Sequence, residues 1–200
     1  LRDELNDKKL LFLCEMGLDP GIDHMSAMQL IDSIKARGGT IHSFKSHCGG
    51  LVAPESDDNP WHYKISWNPR NIVLAGQSGA VYKENNETKT VSYEHLFDVS
   101  NQIAFDGLNN LAFYPNRDSL GYIPTYKLPD AATFIRTTLR HVDFFKGWNA
   151  IVHAGLTNDS IALDPAGLTF ARWSAPILPF VNQDNKSMLE YLGLFEETPV

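Results

Sequence analysis

The chain has 200 residues, and its 17 Lys+Arg against 24 Asp+Glu give a formal net charge of -7, with no basic stripe of the kind a phosphate backbone demands. At 43% hydrophobic and 20% charged residues the composition is that of a globular domain, which excludes a disordered chain, a collagen-like repeat and a disulfide-dense miniprotein. No apolar run approaches the roughly 20 residues that span a bilayer, and the first ten residues are mostly charged and polar, unlike a signal peptide.

The first element is Lys9 to Cys14, a continuous apolar run that reads as a strand buried on both faces, with Cys14 in the core. The turn Glu15 to Gly21 breaks it. A helix follows, with Asp19 expected as its N-cap and Pro20 at its first position. Ile22, Met25, Met28, Ile31 and Ile34 form its apolar stripe, and Gly38-Gly39 ends it. A buried parallel strand needs a crossover partner, and nothing earlier supplies one. Residues 1–15 are therefore expected to close a domain that is mostly absent, the alternative being that this strand pairs with later ones.

Thr40 to Cys48 reads as a strand of mixed polarity stopped by Gly49-Gly50, and Leu51 to Pro60 as a loop. After Tyr63 to Trp67, Asn68-Pro69 opens a short helix running to about Ala75. Ala80 to Lys83 and Lys89 to Ser92 flank a polar stretch and predict a hairpin. Leu111 to Tyr114 is a short apolar strand. Thr133 to Arg140 alternates, with Phe134, Arg136, Thr138 and Arg140 on one face. Phe144, Trp148, Ile151 and Val152 mark a helix ending at Gly155, and Ser187 with Glu190 is spaced as a capping box. The sum is an α+β domain whose sheet is mixed but largely antiparallel.

Chemistry has few places to sit. Asp19, in the turn before a helix, suits a cationic partner such as an amine, or simply caps the helix; the glycines nearby do not form a phosphate cradle. Cys48 is either a free thiol at a site or a small core residue. Cys14 and Cys48 show no metal spacing and fit a reducing, cytoplasmic setting. The seven histidines never pair with a carboxylate at ligand spacing, so no metal is expected. Arg117 and Arg140 lie near loop ends, where arginine forks grip carboxylates, although Asp118 is placed to neutralise Arg117. No nucleophile elbow is present.

Several motifs then occur in one order: Glu15-Met16-Gly17-Leu18-Asp19-Pro20-Gly21-Ile22-Asp23-His24-Met25, Cys48-Gly49-Gly50-Leu51, Ala53-Pro54-Glu55, Asn59-Pro60, Tyr63-Lys64, Ser66-Trp67, Pro115-Asn116-Arg117-Asp118-Ser119 and Thr138-Leu139-Arg140. Together they closely resemble the glutamate-forming saccharopine dehydrogenases (saccharopine reductases), densely from about Leu10 to Arg140. The resemblance implies a Rossmann domain, of which residues 1–15 are the end, joined to a substrate-binding and dimerisation domain at 16–200, in a homodimer.

The implied reaction passes a hydride between saccharopine and NADP or NAD, with glutamate and aminoadipate semialdehyde as the products of the oxidative direction. The resemblance implies Asp19 and Cys48 as catalytic residues, and Arg117, Thr138, Leu139 and Arg140 as substrate-binding residues. Leu18, Asp19, Pro20, Trp67 and Asn68 are implied to approach the cofactor. The partners implied are small molecules, saccharopine and glutamate, with neither nucleic acid nor membrane. Three positions depart from the family pattern: His47 where Tyr is expected, Asn68 where Ser is usual, and Asp143-Phe144 in place of Gly-Phe. A related amine–carboxylate oxidoreductase, such as a carboxynorspermidine dehydrogenase or homospermidine synthase, is the alternative, as is a non-catalytic dimerisation module.

Overall fold

A computed structural model describes residues 2–99, 101–160 and 162–200. In chain order its elements are α1 (Arg2–Asp7), α2 (Ile22–Ala36), β1 (Ser43–Cys48), α3 (Pro69–Val73), β2 (Ala80–Glu84), β3 (Glu87–Val91), β4 (Gln102–Phe105), β5 (Leu108–Pro115), α4 (Ile123–Tyr126), β6 (Thr133–His141), α5 (Val142–His153), α6 (Phe170–Trp173) and α7 (Lys186–Tyr191), with short 3-10 turns between. The fold class is α+β, and one sheet holds all six strands.

Strand β6 organises the sheet. Along one edge it pairs in parallel with β1, from Ser43↔Thr133 to Cys48↔Thr138. Its other edge is shared: β2 pairs antiparallel at Lys83↔Phe134, and β5 pairs antiparallel from Leu111↔His141 to Pro115↔Thr137. The β2–β3 hairpin and the β4–β5 pair extend the sheet, so among the described residues its only parallel strand pair is β1–β6. Because cross-strand partners share a face, Ala112 and Tyr114 of β5 lie on the same side as Arg140 and Thr138.

Two helices pack on that side. Helix α5 carries Phe144, Ile151 and Val152 at the predicted spacing, and they pack with Phe145, Ala112, Tyr114 and Phe97 into the larger core. Helix α2 packs Ile31 onto Phe134, Tyr126, Leu128 and Ala131 in a second, smaller cluster. Between the two clusters the sheet is uncovered, and a cavity opens there.

Several expectations are overturned. Residues 9–14 form no strand: Leu11 is 87% exposed, Leu13 70%, and Cys14 is a free, exposed thiol. An apolar run becomes a buried strand only beside partners that satisfy its backbone, and no described residue lies alongside. Helix α2 begins at Ile22 with Gly21 as N-cap, so neither Asp19 nor Pro20 starts it. Both belong to the preceding turn, which is closed by the Gly17 N–H donating to the Pro20 carbonyl at 3.1 Å. The face of α2 that packs carries Ala27, Met28 and Ile31, while Ile22 and Met25 remain exposed. Ser187 caps nothing; it lies inside α7, whose N-cap is Asn185. Strand β4 was not anticipated.

Candidate functional site

The cavity has a volume of about 830 Å³. Its floor is the uncovered sheet face, where the two-residue period of β6 presents Arg136, Thr138 and Arg140 in a row. The parallel register sets Cys48 directly beside Thr138. Gly49 follows because nothing larger fits: a Cβ there would stand 2.2 Å from the Leu139 carbonyl oxygen. Phe97, Tyr114, Phe144 and Trp148 form the aromatic wall from α5 and the larger core.

At one end Asp19 and Arg136 form an ion pair at 3.0 Å, and Arg136 also donates to Asp23 at 2.8 Å. The Arg136 guanidinium stacks over Tyr122, 4.2 Å from the ring centre. Burial by itself would raise the Asp23 carboxyl, but the Gly21 N–H and Arg136 outweigh it and hold the group below the usual carboxylate range. The Cys48 thiol is pushed up to about 11, first by burial and then by the negative charge of Asp19, to which it hydrogen-bonds. Near neutral pH Cys48 is therefore a protonated thiol donating to the Asp19 carboxylate. The cation beside Asp19 is thus a side chain on β6. His47 points away from the cavity, as alternation requires, and bonds Thr137 Oγ1 at 2.7 Å on the far face.

The other two arginines of the cavity have no such partner among the described residues. Arg140 is 8% exposed, pairs with no carboxylate among the described residues, and donates only to the Leu139 carbonyl, at 2.7 Å. Its guanidinium lies over Tyr63, 4.7 Å from the ring centre, and over Phe144 at 5.6 Å. Arg117 is exposed at the cavity edge and also pairs with no carboxylate among the described residues. Asp118 does not neutralise it; its Oδ1 accepts from the Leu120 and Gly121 N–H groups at 2.8 and 3.1 Å. Arg136 Nε, Arg140 Nε and Trp148 Nε1 are buried donors without partners, and all three residues line this cavity. Such donors are places where a polar ligand or an ordered water would find a partner.

Of the residues singled out from sequence, Leu18, Asp19, Pro20, Cys48, Trp67, Arg117, Thr138 and Arg140 line the one cavity. Two do not. Leu139 points to the opposite face of β6, as its odd position dictates, and contributes only its carbonyl. Asn68 caps α3, its Oδ1 accepting from the Asn71 N–H at 3.4 Å, so Asn71 reaches the cavity instead. Sequence reasoning missed the lock of Arg136 onto Asp19 and Asp23, and Tyr63 under Arg140. No local signal marks either, because the partners are more than 70 residues apart in the chain.

The family model of the saccharopine dehydrogenase C-terminal domain matches residues 17–195. The chain belongs to this family. Among saccharopine dehydrogenase relatives, it is 40% identical over 159 residues to "Saccharopine dehydrogenase [NADP(+), L-glutamate-forming]" of Saccharomyces cerevisiae, covering 80% of this chain and 36% of that protein. It is 41% identical over 160 residues to "Alpha-aminoadipic semialdehyde synthase, mitochondrial" of Mus musculus, covering 79% of this chain and 17% of that protein. A solved structure of apo histidine-tagged saccharopine dehydrogenase (L-Glu forming) from Saccharomyces cerevisiae superposes with a TM-score of 0.78 at 33% identity, covering 93% of this chain and 47% of that one. The chain thus spans only a minor part of the curated relatives it matches.

Proposed function

We propose that residues 16–200 are the substrate-binding domain of an L-glutamate-forming saccharopine dehydrogenase, an oxidoreductase of lysine metabolism. The observation that carries this is the pair of unneutralised guanidiniums, Arg117 and Arg140, in one cavity with Cys48 and Asp19. Saccharopine is a secondary amine bearing three carboxylates. Arg140 and Arg117 hold carboxylates by charge-assisted, fork-shaped hydrogen bonding, and the Trp148 N–H is free to add a donor. Thr138 supplies a hydroxyl between Arg136 and Arg140 on the same strand face.

The substrate amine sits at the Asp19–Cys48 end. Asp19, already paired with Arg136, orients the amine. Cys48, a weakly acidic thiol, hands a proton to or from water there. Leu18 and Trp67, 59% and 52% exposed at the cavity mouth, fit the flat face of a nicotinamide. When bound, the nicotinamide supplies the hydride chemistry at the carbon beside the amine. NADP is favoured over NAD because the yeast relative's name carries NADP(+). The exposed Leu10 to Leu13, Met16 and Leu18 then form the surface on which the dinucleotide-binding portion of the enzyme rests.

The test is calorimetric titration of the chain with saccharopine. Arg117→Ala and Arg140→Ala should each weaken binding about tenfold to two-hundredfold, the loss of one charged hydrogen bond of about 1.5–3 kcal/mol. Unchanged affinity in both variants would remove the proposal.

A further inference from the structure

Where β6 runs into α5, the side chains of His62, His141 and Asp143 each present one ligand atom, all within 4.8 Å of one another. His62 Nε2 lies 3.7 Å, and His141 Nδ1 3.3 Å, from the same oxygen, Asp143 Oδ2. The surrounding hydrogen bonds decide what these atoms carry. Asp57 Oδ2 lies 2.6 Å from His62 Nδ1, so that nitrogen holds the proton and Nε2 keeps its lone pair in the neutral ring. His141 Nδ1 accepts from the Asp143 N–H as the N-cap of α5, so it too is the bare nitrogen. The other oxygen of Asp143, Oδ1, is taken by Lys146 Nζ at 2.8 Å. Three atoms able to ligate therefore gather within 4.8 Å, and a cation among them would replace the long 3.4 Å cap hydrogen bond that His141 Nδ1 now accepts.

We infer that His62, His141 and Asp143 form a site for a divalent cation of the zinc class, with Asp57 holding His62 from behind. Zinc bonds of about 2.0–2.1 Å at tetrahedral angles separate ligand atoms by roughly 3.3 Å, which the His141–Asp143 spacing already matches, while the His62–Asp143 spacing of 3.7 Å must close and the two stacked imidazoles must turn toward a shared ion. Two imidazoles and one carboxylate favour zinc and its neighbours over magnesium or calcium, which prefer all-oxygen sites. The carboxylate–histidine pair Asp57–His62 matches the outer support that metal-bound histidines use. The side chains are partly exposed, at 36%, 18% and 29% for His62, His141 and Asp143, so an ion can enter and water can take the fourth position. The site joins the 57–62 loop to the end of β6, and the adjacent residues Tyr63 and Arg140 stack on one another, with Arg140 lining the cavity. The ion would pin Tyr63 against Arg140. The sequence expectation of no metal rested on spacing, and His62 and His141 meet only in the tertiary fold.

The untagged chain, stripped with a chelator, is titrated with Zn²⁺ alone while heat and melting temperature are followed. One equivalent should bind with a Kd of about 10 μM or tighter and raise the melting temperature, whereas Mg²⁺ should do neither. His62→Ala and His141→Ala should each cost at least about a hundredfold in affinity, and Asp57→Asn about tenfold to a hundredfold. His95→Ala should change nothing. If His141→Ala fails to fold, Asp143→Asn, which keeps the side-chain shape, must show the loss instead. A Kd weaker than about 0.1 mM, or binding indifferent to these substitutions, overturns the inference. So does a melting temperature that responds to acid through the two histidines and not to Zn²⁺, since a proton would then be the cation.

Discussion

Arg136 and Arg140 project from the same face of β6, yet replacing each with methionine should affect stability very differently. Arg136 neutralises Asp19 and Asp23 at 3.0 and 2.8 Å, and the Asp23 side chain is only 6% exposed. Removing the guanidinium leaves the buried Asp23 carboxylate uncompensated, with the part-exposed Asp19 unpaired beside it, a loss of about 3–5 kcal/mol. At about 2–4 °C per kcal/mol for a chain of this size, the melting temperature should fall by roughly 6–20 °C. Arg140 has no carboxylate to abandon. Its favourable contacts are one hydrogen bond to the Leu139 carbonyl, about 1.5–3 kcal/mol, and its stacks on Tyr63 and Phe144, each about 0.5–2 kcal/mol. Against these stands a desolvation cost of several kcal/mol for a buried cation. Arg140→Met should therefore leave the ligand-free chain as stable as before, or more stable by about 1 kcal/mol, while greatly weakening its hold on saccharopine. Urea unfolding followed by tryptophan fluorescence measures both variants on one scale. A loss above about 2 kcal/mol for Arg140→Met, or below about 1 kcal/mol for Arg136→Met, would refute the assignment of one arginine to structure and the other to ligand.

Cys48 should alkylate with a pH midpoint near 11, seen by peptide mass spectrometry on a Cys14→Ser background; Asp19→Asn should lower that midpoint, and one at or below 9 in the parent chain contradicts the thiol's placement. Gly49→Ala forces a Cβ to 2.2 Å from the Leu139 carbonyl, so it should cost about 1–3 kcal/mol in urea unfolding and weaken saccharopine binding as β1 shifts against β6. The Asp23 carboxyl sits below its ordinary range in the folded chain, so its contribution is complete above the unfolded value and is lost as pH falls through the folded one. Stability should therefore drop below about pH 4, and Asp23→Asn should flatten that slope; an equal slope in both proteins would count against the Asp23–Arg136 pairing.

Local chemistry made much of the fold legible. The alternation of Thr133 to Arg140 set which side chains of β6 share a face, the polar stretch at Glu84 to Thr88 marked the hairpin, and Asn68-Pro69 opened α3. These depend on contacts within a few residues, and the chain carries them wherever it goes. The run from Leu10 to Leu13 misled because apolar composition records a demand for burial and not the neighbour that meets it. Asp19 misled in the same way: capping propensity is local, while Gly21 and the turn around Pro20 decide where α2 begins.

The residues of the cavity were named from ordered motifs, but their roles could not be. Nothing in the sequence tells Arg136, locked by two carboxylates, from Arg140, which has none, since both sit at equivalent positions of one alternating strand. Likewise His62 and His141 are unremarkable until β6 and the 57–62 loop bring them together. Periodicity and turn chemistry are written in nearest neighbours, whereas charge pairing, orphaned donors and ligand clusters depend on distances between segments far apart in the chain, and only the packed structure defines those.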